Sequence, residues 1–142
     1  MIREALVFDI PRINELGELV HTDFKNFFNI NEMLNDGVSK VFVYEKDDLI
    51  IGFIMATCLY ETCDILNVVV DPNYRRNMVA SNLIGYLISE LGENLKLVTL
   101  EVSTKNEAAI NLYDKFGFEV VNTRVKYYNN GDDAYLMARR SE

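Results

Sequence analysis

NVVVDPNYRRNMVASNLI, residues 67–84, holds an apolar strand, a sharp turn and the opening of an amphipathic helix. Val68, Val69 and Val70 form a β-branched run without polar alternation, the pattern of a strand covered on both faces. Pro72 ends that run. Beyond the turn, Val79, Leu83, Leu87 and Leu91 recur every four residues and are joined by Ile84 and Ile88, the stripe of a helix packed on a sheet. Gly92 is the expected stop. Arg75 and Arg76 lie between strand and helix, where the free amides and positive dipole end of a helix N-terminus favour an anion. The turn therefore reads as a phosphate seat, the competing reading being a plain strand-turn-helix with solvated arginines.

A second stretch weighs on that choice. LVTLEV, residues 97–102, is another apolar strand, so strand, helix and strand form a right-handed crossover with two parallel neighbours. Ligands in such sheets bind beyond the carboxyl ends of the strands. NEAAINLYDKFGF follows at residues 106–118, with Asn106 as N-cap, a stripe of Ala109, Leu112, Tyr113 and Phe116, and Gly117 as terminator. Glu101 and Tyr113 thereby come to the same end of the crossover as the phosphate seat. Glu101 shares a strand face with Leu97 and Thr99, an apolar setting that suits a carboxylate working as a base. As purely structural residues, Glu101 would be an edge carboxylate and Tyr113 a core aromatic.

The rest of the chain is built around this crossover. With 142 residues, 49% hydrophobic and 25% charged, it has material for one substantial core, so residues 1–142 read as a single α/β domain. No apolar run approaches membrane-spanning length and no signal-like N-terminus is present, which makes the cytoplasm the default location. A net charge of −8 argues against a nucleic-acid surface and suits a cationic amine or basic peptide. Cys58 and Cys63 flank an expected hairpin turn; without a CxxC pattern or secretory context, free buried thiols are expected, and no metal site. His21 falls in a helical segment and reads as structural. Residues 2–9 suggest a first strand and Pro11 a helix start. HTDFKNFFNINEML, residues 21–34, reads as loop and short helix, with Phe24, Phe27 and Phe28 as core or as one wall of a substrate groove. KVFVYE and LIIGFIMATCLY form strands around the turn at Lys46-Asp47-Asp48, with Gly52 at a bulge. Two further strands near 118–127 and 134–139 enclose a loop from Tyr128 to Asp133.

VVVDPNYRRNMVASNLI together with LEVSTKNEAAINLYDKFGF resembles the GNAT superfamily of acetyl-coenzyme A dependent N-acetyltransferases. The second motif and YYNNGDDAYLM, residues 127–137, look most like its RimI-type branch, which acetylates the N-terminal alanine of a ribosomal protein. The resemblance implies a mixed, mostly antiparallel six- or seven-stranded sheet with a parallel central pair and helices on both faces. It implies acetyl-CoA as co-substrate, held by the backbone of Val68, Val69 and Val70, by the pyrophosphate loop Arg75, Arg76, Asn77, Met78, Val79, Ala80 and Ser81, and by Asn106. It assigns Glu101 as base and Tyr113 as acid. A substrate α-amine, with its pKa of about 7.7–8.0, must lose a proton before it attacks a thioester. Phe24, Tyr127 and Tyr128 are the expected substrate contacts, with Asp132 and Asp133 attracting a cationic N-terminus. The implied substrate is a protein or peptide N-terminus, a ribosomal protein in the RimI-type case, and the implied assembly a monomer or weak dimer. A small amine or polyamine as acceptor, or a non-catalytic acyl-CoA-binding module, are the alternatives. The chain departs from the family at Met78, where a glycine normally lets phosphate approach the backbone; a right-handed helical φ with the side chain turned away would accommodate it.

Overall fold

The computed structural model describes residues 1–92 and 94–141. In chain order come β1 (Ile2–Glu4), a 3-10 turn (Val7–Asp9), α1 (Ile10–Glu18), α2 (Phe24–Phe27), α3 (Ile30–Met33), β2 (Ser39–Lys46), β3 (Leu49–Leu59) and β4 (Thr62–Val70). A second 3-10 turn (Pro72–Tyr74), α4 (Val79–Leu91), β5 (Leu97–Ser103), α5 (Glu107–Lys115), β6 (Glu119–Arg124) and β7 (Ala134–Arg140) follow. The strands form one seven-stranded sheet in the order β1-β2-β3-β4-β5-β7-β6. Every neighbouring pair is antiparallel except β4 and β5, the parallel pair joined by the α4 crossover.

Helices cover both faces. On one, α4 buries Leu83, Ile84 and Leu87 completely against Ile54, Val98, Leu100 and Phe118, each such side chain contributing roughly 1.5–3 kcal/mol. On the other, Ile13 and Leu16 of α1, Phe24 of α2 and Ile30 of α3 pack on Val43, Phe53 and Met55. Gly52 lets α4 approach β3, because a methyl group there would come within 2.9 Å of both the Val69 carbonyl and Val79 Cγ1. The bulge lies one residue earlier: Tyr44 pairs with Gly52 and Glu45 with Ile50, leaving Ile51 as the extra residue.

Two expectations need correction. The first strand ends at Glu4 rather than continuing to residue 9. Asp9 folds the chain back: its Oδ2 accepts from the Leu6 amide at 2.8 Å and from Arg3 Nη1 at 2.7 Å. The cysteines, expected as free thiols, form a disulfide. Their spacing around the β3–β4 hairpin sets Cys58 directly opposite Cys63 in the register, with Cα atoms 4.1 Å apart, so strand pairing brings the sulfurs together.

Candidate active site

The site arises from an interruption in the sheet. Across β3 and β4, Met55 pairs with Asn67 and Ala56 with Ile65, so Leu66 is bulged out of register. A bulge bends its strand and sharpens the twist. Accordingly, β4 pairs with β5 only from Thr62–Leu97 to Ile65–Leu100, while β5 continues along β7 as far as Ser103 and Ala134. Beyond Ile65 the two parallel strands part, leaving one edge of Val68, Val69 and Val70 without a β5 partner. A groove of about 830 Å³ occupies the opening, lined among others by Asn67, Val68, Glu101, Asn106, Tyr113, Tyr127 and Tyr128.

At the narrow end of this opening the two strands present polar groups on one face of the sheet. Glu101 is half-buried in β5, and Arg124 of β6 reaches across Ala134 of β7 to place its Nε 2.9 Å from Glu101 Oε2. The approach allows charge pairing without hydrogen-bond alignment, and Oε2 has no hydrogen-bond partner among the described residues. Glu101 thus has a cation beside it, not the apolar neighbours expected from strand parity. The Arg124 guanidinium also lies 5.8 Å from the centre of the Tyr127 ring, within cation–π range. Burial and the nearby Glu101 carboxylate push the Tyr127 and Tyr128 hydroxyls above their ordinary values.

Tyr113 enters the groove from α5, which Asn106 starts by accepting the Ala109 amide at 3.2 Å. Its ring packs edge-on against Phe118 at 5.7 Å, and burial, with Tyr128 adding to it, pushes the hydroxyl up to about 12. That hydroxyl is protonated at neutral pH. The arrangement therefore holds a proton acceptor and a proton donor on the walls of one groove, the requirement for moving a proton from a nucleophile and returning one to a leaving group.

Past the open edge, Asp71 organises the turn into α4. Its carboxylate accepts from the Asn73 amide at 2.9 Å and from Arg12 Nη2 at 2.6 Å, while Arg12 Nε donates to the Ile50 carbonyl. The Asn73 amide, then Arg12, hold the Asp71 carboxyl below the usual carboxylate range against its burial. The first turn of α4 has no side-chain cap and no acidic residue, so its amides are left without a capping partner close in sequence to Arg75 and Arg76, as an anion seat requires. Met78, at the N-cap, has φ 62° and ψ 21° and is 67% exposed. The side chain does turn away, but the backbone is left-handed rather than right-handed helical. Arg76 is left-handed too, with φ 69°.

The other wall of the groove comes from the segment after α1. Phe24, expected at the substrate, is fully buried. It packs on Gly17, where an added methyl would lie 2.4 Å from the ring, and edge-on against Phe53 at 5.9 Å. Phe27, at the end of α2, and Phe28, just beyond it, line the groove instead, with Val20 and His21. His21 sits in a bend after α1, not in a helix, with its ring 4.9 Å from that of Phe27. The acidic pair is engaged elsewhere: Asp132 bridges to Lys105, between β5 and α5, at 2.9 Å, and Asp133 Oδ1 accepts from the Lys126 amide of its own loop at 2.8 Å. Neither contacts the groove. Arg124 and Asn67 are the site residues that sequence reasoning passed over. Asn67 carried a signal, as the one polar residue in an otherwise apolar stretch from Ile65 to Val70; the partnering of Arg124 with Glu101 depends on a three-strand register.

Among the described residues there is no group of three or more metal-ligating side chains, and no helix is long and apolar enough to cross a membrane. The model of the acetyltransferase (GNAT) family matches residues 7–118. The chain is 30% identical to an N-alpha-acetyltransferase of Sulfurisphaera tokodaii, over 96% of this chain and 90% of that protein. It is 28% identical to an N-alpha-acetyltransferase of Saccharolobus solfataricus, over 97% and 91%. The crystal structure of the ribosomal-protein-S18-alanine N-acetyltransferase from Escherichia coli superposes with a TM-score of 0.88 at 26% identity, over 99% of this chain and 92% of that one.

Proposed function

The chain belongs to the acetyltransferase (GNAT) family, and on that premise we propose that it transfers the acetyl group of acetyl-CoA to the N-terminal α-amine of a protein. The observation that carries this reading is the convergence of Glu101 and Tyr113 on one groove that runs to the open edge of β4. The relatives named above act, by their names, on α-amines and on an alanine of a ribosomal protein, which supports the same class of acceptor here.

The residues fit the co-substrate in three places. The uncapped amides of Val79, Ala80 and Ser81, with Arg75, Arg76, Asn77 and Met78 around them, suit a pyrophosphate. The free edge of Val68, Val69 and Val70 suits an amide-bearing arm paired as an added strand. Asn106, at the start of α5, borders the far side of the groove. An arm anchored at the phosphate seat and running back along β4 delivers its thioester to the narrow end of the opening, beside Glu101. The seven strands form a single sheet, which supports reading the chain as one catalytic domain.

In this reaction the entering amine exchanges with Arg124 as the partner of Glu101, and Glu101 takes its proton. The nitrogen lone pair then forms the C–N bond to the acetyl carbonyl carbon as the carbonyl π pair moves onto oxygen. When that pair returns the C–S bond breaks, Tyr113 gives its proton to the departing thiolate, and the extra proton left on nitrogen passes through water to the Tyr113 oxygen, leaving a neutral amide. Phe27, Phe28, Tyr127 and Tyr128 flank the first residues of the acceptor. The test is thiol release from acetyl-CoA across a panel of N-terminal peptides and small amines. Peptides beginning with a small residue should be acetylated faster than free lysine or spermidine; efficient polyamine acetylation without peptide activity would refute the assignment.

A further inference from the structure

Three buried side-chain polar atoms lack a hydrogen-bond partner among the described residues: Asn14 Oδ1, Asn67 Nδ2 and Glu101 Oε2. Asn14 lies on α1, outside the groove lining. The other two belong to the groove and stand on the two strands that part there. A buried amide hydrogen donor without an acceptor is destabilising, and native proteins keep few of them. Glu101 Oε2 already faces the Arg124 guanidinium at 2.9 Å, the partner that the entering amine replaces; at Asn67 nothing in the reaction described so far uses the donor.

Its position identifies the acceptor it lacks. Asn67 directly follows the bulged Leu66, where β4 leaves β5, and directly precedes the free edge of Val68–Val70. An arm running from the α4 N-terminus back along Val70, Val69 and Val68 reaches Asn67 at its reactive end. We infer that the Asn67 side-chain amide donates a hydrogen bond to the carbonyl oxygen of the acetyl thioester. The inference rests on the acetyltransferase reading above and adds a residue to it.

As the amine nitrogen bonds to the carbonyl carbon, the π electron pair moves onto that oxygen. The charge is held there until the pair returns and the C–S bond breaks. A desolvated donor beside this point stabilises the developing oxyanion, and removing one such donor typically lowers turnover by about 10²–10³. In the free enzyme the same donor is a liability, so stability and catalysis are opposed at this residue.

Asn67→Ala and the isosteric Asn67→Asp, each without the donor, are compared with the wild-type chain in peptide acetylation and in ligand-free melting. The expected result is a kcat about 10²-fold lower in both, a KM for acetyl-CoA within about threefold of wild type, and a ligand-free Tm for Asn67→Ala equal to or above wild type. A kcat within about threefold of wild type in both variants overturns the inference while leaving the acetyltransferase reading intact. So does a loss of activity in Asn67→Ala that is matched by a lower Tm, the mark of a structural role. Wild-type enzyme that releases thiol with no peptide or amine overturns both readings together.

Discussion

Met78→Gly should stabilise the protein, an unusual direction for a substitution to glycine in a folded domain. Met78 holds φ 62° and ψ 21°, the left-handed region, where a side chain with a Cβ costs about 1 kcal/mol or more. It is also the N-cap of α4 without a side-chain cap bond, a position where glycine outperforms a large apolar residue by about 0.5–1 kcal/mol. Against these gains stands the greater unfolded-state freedom of glycine, about 0.5–1 kcal/mol. The side chain is 67% exposed and sits outside both cores, so little packing is lost. The net is a gain of about 1 kcal/mol, or a Tm increase of about 3 °C for a domain of this size. Differential scanning calorimetry of the two ligand-free proteins measures it, and a repeat with saturating acetyl-CoA should show the ligand-induced shift retained or enlarged, since a barer backbone admits phosphate more closely. A lower ligand-free Tm in the variant would refute the strain argument; a lost ligand shift would mean that the methionine itself contacts the co-substrate.

Asp71 should make the phosphate turn acid-sensitive. Its folded pKa is lowered, by the Asn73 amide first and by Arg12, so its contribution is complete above the unfolded carboxylate value near ~4 and is lost as pH falls through the folded one. Asp71→Asn should therefore cost about 2 kcal/mol at neutral pH, a difference that shrinks as pH falls through the lowered folded pKa in urea melts at stepped pH; an undiminished difference at low pH would contradict the pairing. Tyr113→Phe should leave the Tm nearly unchanged, because the ring keeps its edge-on packing against Phe118, while turnover falls by roughly 10²–10⁴, the worth of a positioned general acid. Near-normal turnover in steady-state assays would return Tyr113 to a packing role.

The crossover was readable because its signals are local. A β-branched run, Pro72, a four-residue apolar repeat and an asparagine cap at Asn106 each act within a turn or two of the chain, and all agree. What eluded the sequence depends on register. The extra residue at Leu66 that parts β4 from β5 has no composition of its own, yet it creates the groove. Arg124 reaches Glu101 only because Ser103, Ala134 and Arg124 align across three strands. The cysteines were misjudged for the same reason, since a compartment argument says nothing about two residues placed opposite one another in a hairpin. Phe24, Phe27 and Phe28 were equivalent by composition, and the close approach allowed by Gly17 decides which of them is buried. Met78 was legible as a departure from a glycine position, but its left-handed backbone had to be seen.

The central claim, that the acceptor is the α-amine of a polypeptide, is tested most directly by where the acetyl group lands. A peptide with a free small N-terminal residue and an internal lysine, incubated with the enzyme and acetyl-CoA and sequenced by tandem mass spectrometry, should carry acetyl on its N-terminal nitrogen and none on the lysine. Acetylation of the lysine with a bare N-terminus would contradict the account.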